Sequence, residues 1–94
     1  MHVRVVRFTG VSADRVRASI ERIQQSGGPP PGVLARGLDL LFDEGQGTAV
    51  VLQYFDSAQD MQAADEVLGA MDASETPGTR ASVDRCETKL ELKA

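Results

Sequence analysis

One uninterrupted run of strand-forming residues, Thr48–Phe55, constrains the fold of this chain most strongly. Six of its eight residues are aliphatic or aromatic, and it lies between a glycine-rich turn at 44–47 and the helix-initiating pair Asp56-Ser57. β-branched and aromatic residues favour a strand, and the lack of strict alternation indicates that both faces are covered. Because 94 residues supply few covering elements, we expect helices on one face and a partner subunit on the other.

Hydrophobic periodicity places further elements on both sides of this run. Strands are predicted at 3–8, 38–42 and 81–92, and a helix is predicted at 13–25 after the cap residue Ser12. A second helix begins after the cap residue Ser57. The expected buried stripes are Val16, Ile20 and Ile23 on the first helix, and Met61, Ala64, Leu68 and Met71 on the second.

The predicted order is β-α-β-β-α-β, which is typical of a ferredoxin-like α+β fold with a four-stranded antiparallel sheet. Residues 1–94 then form a single domain, with the first and third strands central and the fourth beside the first. The charges of the last strand suit a sheet edge, and we expect Arg4 and Arg7 to face Asp84 and Glu87 across that pair.

Composition argues against several classes of function. The net charge of −4 and the scattered basic residues argue against nucleic-acid binding. No apolar run approaches the ~20 residues that span a bilayer, so no membrane association is expected. One histidine and one cysteine cannot build a usual zinc site. The absence of a leader pattern and the single Cys86 predict a cytoplasmic protein.

The proline run Pro29–Pro31 is predicted to be a stiff connector between elements.

Two passages carry a resemblance to a known family: Val50–Met61, with the sequence VVLQYFDSAQDM, and Ala81–Leu92, with the sequence ASVDRCETKLEL. Together with the first strand and the Gly10 turn, they resemble antibiotic-biosynthesis-monooxygenase-like domains, in particular a bacterial branch. The resemblance covers essentially the whole chain. It implies a dimeric α+β barrel, a homodimer whose sheets pack face to face, with a small pocket between the sheet and the helices of each subunit.

The resemblance does not extend to the residues that give this family its activities. Active members carry a strand-end Trp and a helical His, where this chain has Phe55 and Ala64. The haem-degrading members also use an Asn, which this chain lacks. The resemblance therefore implies neither haem ligation nor any other cofactor, and it leaves the catalytic residues unknown.

The reactive side chains are few, and each has a plain structural interpretation. His2 is predicted to be a frayed or surface residue, and Cys86 a packed small hydrophobe. Tyr54 is expected to be a hydrogen-bonded core or interface residue rather than a catalytic group. The charged residues of the last strand are predicted to form a solvent-exposed row along the sheet edge: Arg80, Asp84, Arg85 and Glu87. The residues expected to contact a ligand are Phe8, Phe42, Tyr54, Phe55 and Met61, although such residues are more often plain core.

Three functions remain open from the sequence. The first is a barrel that binds a small apolar or aromatic molecule between sheet and helices. The second is a cofactor-independent monooxygenase acting on an aromatic substrate, for which Tyr54 or Arg80 must face a pocket. The third is a module that docks a basic partner through the acidic face of the second helix, which includes Asp60, Asp65, Glu66 and Asp72.

Overall fold

The computed structural model describes all 94 residues and has the predicted order of elements. Its strands are β1 (His2–Thr9), β2 (Gly37–Asp43), β3 (Thr48–Phe55) and β4 (Thr79–Glu87), and its helices are α1 (Ala13–Ser26) and α2 (Ala58–Gly69). A short 3₁₀ turn, Ala73–Glu75, follows α2. The strands form one antiparallel sheet in the order β2-β3-β1-β4, which confirms the ferredoxin-like α+β fold.

Both helices begin where the sequence predicts, because serine side chains satisfy backbone N–H groups of the first turn. The Ser12 hydroxyl accepts a hydrogen bond from the amide of Arg15 at 3.2 Å. The Ser57 hydroxyl accepts one from the amide of Asp60 at 3.0 Å. Helix α1 ends at Gly27, whose φ of 73° is left-handed and favours glycine.

The register of β1 with β4 differs from the predicted charge pairing. Arg4 faces Arg85 and Arg7 faces Ser82, whereas Asp84 and Glu87 lie opposite Val5 and His2. The prediction that Arg4 and Arg7 face Asp84 and Glu87 was therefore wrong. Charge complementarity is too weak to set the register of an edge strand when apolar neighbours and a bulge near Phe8 also act on it.

Strand β4 is also shorter than predicted and ends at Glu87 rather than Leu92. Glu87 pairs with His2, and the amide of Thr88 makes one further hydrogen bond, of 2.9 Å, to the carbonyl of Met1. Strand β1 then has no backbone left to pair with. The residues that follow leave the sheet, and Leu90 and Leu92 are exposed.

The sheet has two different faces. Both helices pack on the helix-side face, defined by Arg4, Val6, Phe8, Ala49, Val51, Gln53 and Phe55. The opposite side, the open face, carries half-buried or exposed apolar side chains, namely Val3, Val5, Leu41, Val50, Leu52 and Tyr54. No helix of the structure is both long and apolar enough to cross a membrane.

The core on the helix-side face is divided into two clusters. The first joins Val11 and Val16 to β1 and β3, and consists of Val6, Phe8, Val11, Val16 and Ala49. The second joins α2 to the end of β3, and consists of Val33, Phe55, Met61, Ala64 and Leu68. Of the stripe predicted for α2, Met61, Ala64 and Leu68 are buried, whereas Met71 lies beyond the end of the helix and is half-buried. Of the stripe predicted for α1 only Val16 is buried, and Ser19 is the one other buried residue of the helix, because its later turns stand away from the sheet and leave Ile20 and Ile23 about two-fifths exposed.

Candidate functional site

A cavity of about 720 Å³ lies between the helix-side face of the sheet, α1 and the proline connector. Its volume falls in the range of pockets that hold small organic ligands, roughly 300–1,000 Å³. Most of its walls are apolar. They are formed by Val6, Phe8, Leu40 and Val51 from the sheet, Ile23 from α1, Pro29–Pro31, Val33 and Ala35 from the connector, and Leu68 and Met71 from the α2 side.

Two buried polar residues interrupt the apolar surface on the sheet side of the cavity. Arg4 and Gln53 are 3% and 8% exposed, and they lie directly opposite each other on β1 and β3. The Nη1 group of Arg4 donates a 3.1 Å hydrogen bond to Oε1 of Gln53. Since burying an unpaired guanidinium is costly, its charge must be balanced nearby.

The counter-charge comes from Asp65 on α2. Its Oδ1 accepts a 2.8 Å hydrogen bond from Nε of Arg4, and its Oδ2 accepts hydrogen bonds of 2.9 and 2.7 Å from Nε and Nη2 of Arg85 on β4. Burial alone would raise the pKa of Asp65, but hydrogen bonds and charge from Arg4 and Arg85 outweigh burial and lower it. One carboxylate thus serves two guanidinium groups.

This arrangement corrects one prediction from the sequence and adds a contact to another. Asp65 was expected on a solvated acidic face of α2, but its side chain is only 23% exposed and faces the sheet. Arg85 is solvated on β4 as expected, with its side chain 52% exposed, but it also reaches across to Asp65. Helical periodicity alone could not identify these contacts, because they depend on how α2 sits over β1 and β4.

Further arginines surround the cavity. Arg22 on α1 donates hydrogen bonds to the carbonyls of Ser74 and Glu75, and Arg80 donates one of 3.1 Å to the carbonyl of Gly69. Arg36, the fourth arginine of the lining, forms an exposed ion pair of 3.6 Å with Asp56. Glu75 is the one acidic residue of the lining. The lining therefore has an excess of positive charge within a protein of net charge −4.

The five residues predicted to contact a ligand occupy three different places. Phe8 belongs to the first core cluster and lines the cavity, and Phe42 packs against the same cluster. Phe55 and Met61 are buried in the second core cluster. Tyr54 lies on the open face, opposite Val3 and Gly37. The fold therefore does not bring these five side chains together around one space.

The surroundings of Tyr54 explain its position. Its hydroxyl donates a 2.7 Å hydrogen bond to Oδ2 of Asp39 on β2. This hydrogen bond, together with partial burial and the negative charge of Asp39, raises the pKa of Tyr54. A tyrosine held in its protonated form on the open face cannot act as a base on a molecule in the cavity.

The remaining candidate residues lie outside the cavity, apart from Arg80. His2 is half-buried in β1, between Phe55 and Glu87 of the neighbouring strands. Cys86 is exposed, so the expectation that it packs as a small hydrophobe was wrong. It lies on the edge strand opposite Val3, and nothing packs over it. No group of three or more His, Cys, Asp or Glu side chains is placed to hold a metal ion.

Sequence reasoning did not identify Arg4 and Gln53, although a signal was present. Arg4 shares the alternation of Val6 and Phe8, and Gln53 shares that of Val51 and Phe55. A polar residue at a position where the strand otherwise turns apolar side chains inward is a candidate for a buried site. The pairing of the two residues, however, follows only from the register of β1 with β3.

The chain was compared with protein-family models, with curated proteins and with solved structures, and none of the three comparisons gives a match. The resemblance to antibiotic-biosynthesis-monooxygenase-like domains therefore stays a prediction.

Proposed function

We propose that this protein binds a small apolar or aromatic molecule in the cavity between its sheet and helices. The supporting observation is the cavity itself, a cleft of about 720 Å³ whose walls are largely apolar and whose rim at Ile23 and Pro29–Pro31 is exposed to solvent. The division of the core into two clusters on either side of this space supports the same interpretation. An apolar ligand would bury surface that the two clusters leave uncovered.

We also propose that the working form is a cytoplasmic homodimer. The open face carries a group of apolar side chains, Val3, Val5, Leu41, Val50, Leu52 and Tyr54, that no element of the chain covers. A second copy packed face to face would bury them and form the dimeric barrel that the resemblance implies. The exposed Cys86 suits a reducing compartment.

Ligand binding can be tested with the neutral fluorescent probe N-phenyl-1-naphthylamine. Ile20 and Ile23 provide a matched pair of variants: they lie on α1 with 41% and 42% exposure, but only Ile23 lines the cavity. We expect Ile23→Trp to obstruct the cavity and weaken probe binding about tenfold, a loss of roughly 1.4 kcal/mol. Ile20→Trp should leave the affinity unchanged.

Three results would count against this function. They are the absence of probe binding to the folded wild-type protein, binding to Ile23→Trp that equals that of the wild type, and an equal loss of affinity in both tryptophan variants. Circular dichroism and thermal unfolding of each variant separate an obstructed cavity from a disrupted fold. Native mass spectrometry of the purified protein gives a complementary measurement, because a retained ligand adds a defined mass.

The alternative function, a cofactor-independent monooxygenase, would depend on Arg80 rather than Tyr54. Arg80 lines the cavity, whereas Tyr54 lies on the other side of the sheet. In this alternative, Arg80 would stabilise the anion of an electron-rich aromatic substrate before it reacts with oxygen. Oxygen uptake that depends on such a substrate, and that is lost in Arg80→Gln but retained in Tyr54→Phe, would favour the enzyme over the binding protein.

A further inference from the structure

The hydrogen-bond donors of Arg4 and Gln53 are only partly used by the protein. Arg4 uses Nε for Asp65 and Nη1 for Gln53, which leaves Nη2 without a protein acceptor. Gln53 accepts through Oε1, and its amide nitrogen donates to no protein group. No fully buried side-chain nitrogen or oxygen in this structure lacks a hydrogen-bond partner. The two unpaired nitrogens therefore keep some exposed surface. Because both residues are otherwise more than nine-tenths buried and line the cavity, these free donors are accessible from the cavity.

The charge around these donors is unbalanced. Asp65 is shared between Arg4 and Arg85, so the three side chains together carry one net positive charge. Arg22 and Arg80 add positive charge around the cavity, where Glu75 is the one acidic residue of the lining, while Arg36 is paired with Asp56. In a partly desolvated space, an uncompensated guanidinium charge favours an anion far more than it would in bulk water.

We propose that the ligand is an organic acid with an apolar body, and that Arg4 and Gln53 bind its carboxylate. This inference rests on the proposed binding function and specifies the class of ligand. One carboxylate oxygen accepts from Nη2 of Arg4 and the other from the amide nitrogen of Gln53, while the apolar body occupies the space lined by Phe8, Val51 and Ile23. The carboxylate also neutralises the net charge of the cluster that Asp65 forms with its two arginines.

The test compares an acid with a neutral molecule of the same shape, using decanoate and 1-decanol as competitors for bound N-phenyl-1-naphthylamine at pH 7. A second pair, 2-naphthoate and its methyl ester, repeats the comparison with a ring system. We expect each acid to displace the probe at about tenfold lower concentration than its neutral counterpart, as for a charge-assisted hydrogen bond. Equal displacement by acid and neutral partner would overturn the inference.

Variants then test whether Arg4 and Gln53 cause the preference for the acid over its neutral counterpart. Gln53→Met removes one donor without changing charge, and Arg4→Met removes the other. Both should reduce the preference for the acid to about twofold or less, while binding of the neutral competitors is retained. Arg7→Met is the matched control, because Arg7 lies on the same strand but on the open face. Should Arg4→Met fail to fold, the wild-type comparison and Gln53→Met still decide the question.

The outcomes separate the two proposals. If no probe or competitor binds the folded protein, the proposed function fails, and this inference fails with it. If the probe binds and is displaced equally by acid and neutral partner, the binding function stands and the carboxylate assignment is wrong. A preference for the acid that persists unchanged in both Gln53→Met and Arg4→Met would also contradict the assignment to these residues.

Discussion

Arg4 is the one charged residue that is buried in the interior of this protein. Its side chain is 4% exposed, and hydrogen bonds to Asp65 and Gln53 compensate the removal of its guanidinium from water. The hydrogen bonds link β1, β3 and α2 at the place where the two core clusters separate. A polar contact here replaces apolar packing, so its energy depends on both partners being present.

Replacing Asp65 with asparagine should destabilise the protein by about 2 kcal/mol or more at pH 7, because Arg4 would keep its charge without a nearby carboxylate. Urea unfolding measures the free energy directly. Asp14→Asn is the matched control, since the ion pair of Asp14 with Arg17 is exposed and should contribute less than about 0.5 kcal/mol. Equal effects of the two changes would contradict the role given to Asp65.

The difference in stability between the wild type and Asp65→Asn should depend on pH. The pKa of Asp65 is lowered in the folded state, so its stabilising contribution is present above the unfolded pKa, about 3.9 for aspartate. The contribution is lost as the pH falls through the lower pKa that Asp65 has in the folded state. The difference in stability between wild type and Asp65→Asn should therefore narrow below about pH 4.

At the scale of elements, α1 and α2 are held in different ways. Helix α2 buries Met61, Ala64 and Leu68 in the second core cluster. Of its predicted stripe, α1 buries only Val16, and Arg15 and Arg22 attach the helix to the segment after α2. Arg15 donates to the carbonyl of Thr76 at 2.6 Å and to that of Ala73 at 3.2 Å.

The loose packing of α1 predicts its dynamics. Backbone amides in the last two turns of α1 should exchange with deuterium about tenfold faster than those of α2, because opening there exposes little additional apolar surface. Hydrogen exchange followed by mass spectrometry resolves the two helices. Binding of an apolar ligand should slow the hydrogen exchange of the α1 amides, since the ligand fills the space beneath Ile23. Equal protection of both helices in the free protein would show that α1 is firmly packed.

At the scale of the whole molecule, the two faces of the sheet differ in how far the chain covers them. The helix-side face is covered by the chain itself, apart from the cavity. The open face exposes apolar side chains around the central pair Val5 and Leu52, with Leu41 of β2 half exposed to solvent. A sheet face of this composition in water favours packing against another sheet.

Leu52→Glu should convert the proposed dimer to a monomer, because a charge at the centre of the open face would be buried without a partner. Native mass spectrometry gives the mass of each form. Ile20→Glu is the control, since Ile20 is exposed on α1 and lies away from the open face, so this variant should remain a dimer. A wild-type protein that is already monomeric at micromolar concentration would contradict the proposed dimer.

Local patterns were enough to predict the elements and their order. Ser12 and Ser57 mark the helix starts, β-branched residues mark β3 with its observed ends, and the α2 stripe carries the spacing of a buried face. These features follow from interactions between residues close in sequence, so the sequence alone determines them. Only the tertiary structure decided which residues meet. Asp65 joins Arg4 and Arg85 across 61 and 20 positions, and the cavity exists because α1 stands away from the sheet. Such contacts depend on strand register and helix placement, which are set by the packing of the whole chain.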